Sequence, residues 1–200
     1  MQGSFLKLTA PLSILAAILL FCVIFGGYTS FYRSENRIED SKTALVDACR
    51  ARIDLLPDLL TFMEKKMLPL SLMEQAIIKA ETITAEVLGL KPPLEEQMTK
   101  KFEAAQTDLT VQIKNNLAGL NEVFDAESKN EFEALKQKLF KAQDNVYTAK
   151  DTYNEEVSYF NMRIESFPVS YIAKLFGFNK IIYYPFSEQA FLPAQKTFEP

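Results

Sequence analysis

The sequence predicts an all-α protein: an N-terminal transmembrane helix, then an antiparallel, up-down four-helix bundle with a short C-terminal helix and an extended tail. Three observations carry this prediction. From Leu8 to Tyr32 no residue is charged, and the run exceeds the ~20 residues a helix needs to cross a bilayer. From Phe132 to Phe167 every seventh residue is large and apolar, namely Phe132, Leu139, Val146, Tyr153, Phe160 and Phe167. Such a coiled-coil row holds one stripe on one side of a helix, and a rod of this kind needs partner helices to bury it. Finally, no strand alternation of useful length occurs before residue 180, whereas apolar rows at helical spacing recur throughout.

Residues 1–32 are read as a membrane anchor. The densest apolar part is Leu12 to Phe25, and Tyr28, Phe31 and Tyr32 form an aromatic collar suited to headgroup depth. A cleaved signal peptide fits poorly, because the residue two before Gly27 is Phe25 and the residue two before Ser30 is Tyr28. Cleavage wants small residues at both positions. Lys7 and the α-amine precede the run, while Arg33, Arg37 and Lys42 follow it closely. This bias favours a C-terminal domain in the cytoplasm.

Residues 33–178 read as the bundle, with helices over about 33–67, 71–89, 94–124 and 129–167. The first carries Ile38, Leu45, Cys49, Leu56, Leu60, Met63 and Met67, with a kink expected at Pro57, which has no N–H to donate to Ile53. The second opens on Ser71 and Glu74, spaced as a capping box. It stops at Gly89 before Lys91-Pro92-Pro93. The third buries Met98, Phe102, Ala105, Leu109, Ile113, Leu117, Leu120 and Phe124. The fourth has a second row, Leu135, Ala142 and Ala149, which slips by one to Val157 and Ile164. Four single-striped helices with short links bury their stripes most simply as an antiparallel bundle. Residues 179–200 form an aromatic-rich irregular tail, which this connectivity would place at the membrane-proximal end.

The chemistry on offer is narrow. A net charge of −4 disfavours sequence-independent nucleic-acid binding. There is no histidine, hence no common general base near neutral pH and no common metal ligand. Cys22 and Cys49, on one helical path, stand roughly 40 Å apart, too far to bridge. Glu155, Glu156 and Glu165 lack the histidines of a carboxylate-bridged metal site. No catalytic residue, metal or cofactor is therefore expected. Arg52, Asp54 and Asp58 surround the helix-kinking Pro57 and could form a ligand site. In the structural alternative, one acid makes a polar contact at the kink while Arg52 reaches another helix. Asn154 and Asn161, seven apart, could bond across the bundle or hold backbone of the tail.

Two stretches resemble a known family. Arg52-Ile53-Asp54-Leu55-Leu56-Pro57-Asp58-Leu59-Leu60 resembles the R-x-D-L-[IL]-P-[ND]-L signature of LemA-family proteins. Tyr153-Asn154, Tyr159, Asn161, Ile164, Phe167-Pro168 and Ile172 to Phe178, including Phe176 and Gly177, resemble that family's C-terminal signature. Both follow an N-terminal span, in the same order as in the family, and the likeness covers about residues 10 to 186. It departs at Phe124-Asp125, where the family commonly has Tyr-Pro. The resemblance implies a single-pass bacterial protein of the inner (cytoplasmic) membrane with a helical-bundle domain, in a family with no enzymatic activity established for it as a whole.

Two functional readings follow. One is a non-enzymatic, membrane-anchored structural or scaffold protein that binds other proteins through its bundle, with homo-oligomer formation left open. The other is a small-ligand sensor or an uncharacterised enzyme with a site inside the bundle. In the tail, Ile181, Ile182, Tyr183, Tyr184 and Phe186 would be costly in water. They are expected to cover the bundle's end, the bilayer interface or a partner.

Overall fold

The computed structural model describes residues 3–92, 94–121, 126–181, 183 and 191–198. The described residues are helical, with connecting turns and no strand. In chain order the elements are α1 (Gly3–Ile53), α2 (Leu56–Lys65), α3 (Ser71–Leu88), α4 (Glu96–Asn121), α5 (Ala126–Glu165), α6 (Val169–Phe176) and α7 (Ala194–Phe198). At ~1.5 Å rise per residue, α1 is about 75 Å long and α5 about 60 Å.

The apolar run and the first bundle helix are one continuous element. Along α1, side chains from Leu12 to Phe25 are largely exposed, whereas Phe31, Ile38, Leu45, Val46 and Cys49 are fully buried. α1 is also the one helix among the described residues that is long and apolar enough to cross a membrane. Its buried stripe lies along α5, and α3 packs on α4 and on α1. Near the apolar run, the Phe31 and Phe160 rings meet edge to face with centroids 5.8 Å apart. At the far end, Phe62 of α2 meets Phe132 of α5 at 5.9 Å.

The helix expected over 33–67 is divided. Without an N–H at Pro57, the ladder gives way at Asp54-Leu55, where Leu55 donates to the nearer carbonyl of Arg52 at 3.3 Å. Pro57 then serves in the first turn of α2, a place where its missing donor costs nothing. The capping box expected at Ser71 does not form. Leu70 is the N-cap of α3, without a side-chain cap, and the amide of Glu74 donates to the Leu70 carbonyl at 3.0 Å. Chain entry from the Pro69 turn places Ser71 inside the first turn, beyond capping reach. Phe124 lies outside the described residues.

The core is two apolar clusters stacked along the long axis. Nearer the apolar run are Phe31, Ile38, Leu45, Cys49, Val87, Phe102, Val146, Tyr153, Val157 and Phe160. Farther away are Ile53, Leu56, Leu59, Met63, Met73, Ile77, Leu109, Ile113, Phe132 and Leu139. Each large side chain so buried contributes about 1.5–3 kcal/mol over an exposed one. The tail, expected to be irregular, ends in α7 and does not stay at the end nearer the apolar run. Ile181 and Phe191 are buried in the first cluster, and Phe198 lies tilted against Phe140 with ring centroids 5.4 Å apart, packed against the second.

Candidate functional site

Between the two clusters lies a buried polar layer with residues from several helices. Arg52 separates Cys49 from Ile53, Thr84 separates Ala80 from Val87, Gln106 separates Phe102 from Leu109, and Gln143 separates Leu139 from Val146. The Arg52 guanidinium is fully buried. Its Nη1 donates to the Thr110 hydroxyl at 3.0 Å and to the Gln143 carbonyl oxygen, and its Nη2 donates to that of Gln106 at 2.6 Å. The Gln106 amide donates to the Thr84 hydroxyl at 2.9 Å, and that of Gln143 to the Leu192 carbonyl of the tail at 2.9 Å. The network thus joins α1, α3, α4, α5 and the tail.

Electrostatically this layer is unusual. Its acceptors are neutral, and among the described residues Nε of Arg52 has no hydrogen-bond partner. Burial works against the charge and pulls the arginine pKa down, yet arginine stays protonated in proteins. Cys49, one turn earlier, is also buried, and desolvation pushes its thiol up to about 11. It is therefore a poor nucleophile at neutral pH. The layer binds helices together but offers no general base and no activated nucleophile.

Of the other expected positions, Asp54, Pro57 and Asp58 are exposed, so neither acid meets Arg52. Tyr153 and Asn154 are buried, and burial raises the Tyr153 phenol pKa above its usual value. Asn161 takes the second of its two readings. Its amide donates to the Ile181 carbonyl at 2.8 Å and its oxygen accepts from the Ile181 N–H at 2.9 Å. Tyr183 is 39% exposed, while Ile182, Tyr184 and Phe186 lie outside the described residues.

The C-terminal signature gathers around the end of the apolar run. Pro168 caps the start of α6 after a cis Phe167-Pro168 peptide, and Gly177 ends it. Gly177 adopts φ 75°, a left-handed conformation that costs glycine least. Phe178 then lies against Phe31 at 4.9 Å and Tyr28 at 6.0 Å, and Phe176 against Tyr28 at 4.8 Å. Arg163 sits over the Phe31 ring at 4.9 Å and donates to the Ser34 hydroxyl at 3.3 Å. Beside this end runs an open groove of about 670 Å³ lined by Ser158, Asn161, Met162, Glu165, Lys180 and Tyr183. Glu165 and Lys180 pair across it. Among the described residues, no group of three or more Cys, Asp or Glu side chains is placed to hold a metal.

Sequence reasoning missed the polar partners. Gln106, Thr110 and Gln143 lie on or beside apolar rows, and polar residues in such rows were the available signal. Lys42 was missed as well. Fully buried, it donates from α1 to the Leu90 carbonyl, and to that of Val87 at 3.4 Å, so it holds the C-terminal end of α3.

The family model described as the LemA family matches residues 41–196. No curated protein and no solved structure matches the chain.

Proposed function

Since the chain belongs to the LemA family, we propose that it is a membrane-anchored, non-enzymatic scaffold whose bundle binds other proteins. The observation carrying this reading is the course of α1. One helix passes from an exposed, uncharged run straight into a core packed with apolar side chains. A chain built in this way holds a rigid surface at a fixed distance from a bilayer. The bundle is read as antiparallel and four-helical. Phe31 facing Phe160 near one end, and Phe62 facing Phe132 near the other, support that arrangement. The charge bias around the run supports a bundle on the cytoplasmic side of a bacterial inner membrane.

A sensor or enzyme would need a polar cavity with converging charges. Arg52 is instead fully buried, with both of its terminal nitrogens bonded to neutral side chains of the layer and, among the described residues, no cavity around it for a ligand. The far tip presents apolar surface suited to a protein partner, with Met67 94% and Leu72 62% exposed. A photoreactive amino acid placed at Met67 or Leu72 in the full chain is expected to give discrete protein adducts in intact cells. Adducts at neither position, together with specific retention of a small molecule by the purified protein, would overturn the reading.

A further inference from the structure

We propose that α6 is a second membrane attachment, with the outer stripe Phe167, Tyr171 and Leu175 entering the bilayer interface beside the exit of α1. The inference rests on the reading of α1 as a membrane anchor, and concerns residues that reading does not use.

α6 carries apolar side chains on opposite sides. Ile172 and Ala173 face inward and are buried. Ile172 reaches Gly27 of α1 so closely that a Cβ there would collide with it. Outward stand Phe167, Tyr171 and Leu175, four residues apart and 81%, 67% and 68% exposed. Phe167 and Tyr171 meet edge to face at 6.1 Å, forming a joint surface rather than scattered side chains. Tyr171 and Leu175, one turn apart, share one face of α6, and Phe167, in the turn before it, joins them through its contact with Tyr171. An apolar face this open is unfavourable in water and marks an interaction surface.

The occupant follows from position. α6 touches α1 at Gly27 and Tyr28, and Phe178 just beyond it meets Phe31, where the uncharged run ends and Arg33 begins. Tyr32, on the same turn of α1, is 54% exposed, and Phe176 of α6 is 44% exposed. Exposed aromatic surface at the end of the span thus meets exposed aromatic surface on α6 at Tyr28 and Phe176. If the run lies in a bilayer, α6 stands at headgroup depth.

Its direction fits as well. Ile172 and Phe176, a full turn apart on α6, meet the adjacent residues Gly27 and Tyr28 of α1. α6 thus crosses α1 rather than running along it, as an interfacial helix must. Lys174, exposed between Tyr171 and Leu175, can extend to lipid phosphates while its stem stays apolar. Such helices lie with their apolar face about 5–10 Å below the headgroup boundary.

The test uses the full chain with Cys22→Ser and Cys49→Ala, in vesicles of zwitterionic lipid mixed with phosphatidylglycerol. Nitroxide labels on Leu175→Cys, Leu19→Cys and Leu72→Cys report depth through collisions with oxygen and with a water-soluble nickel chelate. Folding of each variant is checked by circular dichroism. The expected result places the label at 175 about 5–10 Å below the phosphates, that at 19 deep in the hydrocarbon and that at 72 in water. A label at 175 as open to nickel as that at 72, with 19 still buried, overturns the α6 attachment and leaves the anchor intact. A label at 175 shielded from both reagents shows protein covering α6 and also overturns it. Labels at 19 and 175 both in water overturn the anchor reading itself.

Discussion

Gln143→Leu is expected to destabilise the fold by about 1.5–3 kcal/mol, because it removes one acceptor from a buried charge that cannot deprotonate. Arg52 then keeps Gln106 and Thr110 alone, and the tail loses the donor to Leu192. For a chain of this size that corresponds to a melting temperature lower by roughly 3–12 °C, read by circular dichroism in detergent. The sign of a second change separates a polar network from ordinary packing. Adding Arg52→Met to Gln143→Leu removes the uncompensated charge, while Gln106 retains Thr84. The double variant is therefore expected to melt above the single one. Removing a buried polar set together is far cheaper than breaking it. A double variant melting below Gln143→Leu would show that Arg52 acts mainly by filling space.

Truncation after Lys180 is the second large effect. The segment removed carries Ile181, Phe191 and Ala194, all buried, and Phe198, whose ring lies against Phe140. Phe191 alone, at 1% exposure and 6.4 Å from the Phe102 ring, is worth about 3–5 kcal/mol on replacement by Ala. Truncation also strips Asn161 of both its bonds to Ile181 and Asp144 of the Ala194 amide it accepts from at 2.8 Å. Cooperative thermal unfolding is expected to be lost, with Phe191→Ala intermediate between the truncated and intact chains. An intact melting transition in the truncated protein would mean the tail merely rests on the surface.

Much of the fold was legible because helical rows are a one-dimensional signal. The seven-residue row of α5 marks side chains that are buried at Phe132, Leu139, Val146, Tyr153 and Phe160. It fails at Phe167, which the row includes and which is 81% exposed, because α5 ends at Glu165 and the turn into α6 re-aims that side chain. The Pro57 break was visible as a disturbance, but whether a ladder bends or parts depends on what packs on either side. The polar layer was least legible. Gln106 and Gln143 are ordinary helix-surface residues by type, and only the stagger of the helices brings them to Arg52. The tail's course depends likewise on long-range contacts, such as that between Phe102 and Phe191, which have no periodic signature.

The scaffold reading requires α1 to be a single rigid rod from bilayer to bundle. Its weakest point is Gly26-Gly27, since each glycine costs a helix about 1 kcal/mol relative to alanine. The contact of Ile172 with Gly27 braces that point. Nitroxide labels on Leu19→Cys and Asp47→Cys, in the background lacking Cys22 and Cys49, sit on either side of it, both exposed. Pulsed dipolar spectroscopy of the full chain in vesicles is expected to give one narrow distance near 42 Å, from ~1.5 Å of rise per residue. A broad distribution, or a distance well below that, would show a hinge at the glycines and contradict a bundle held rigidly on the membrane.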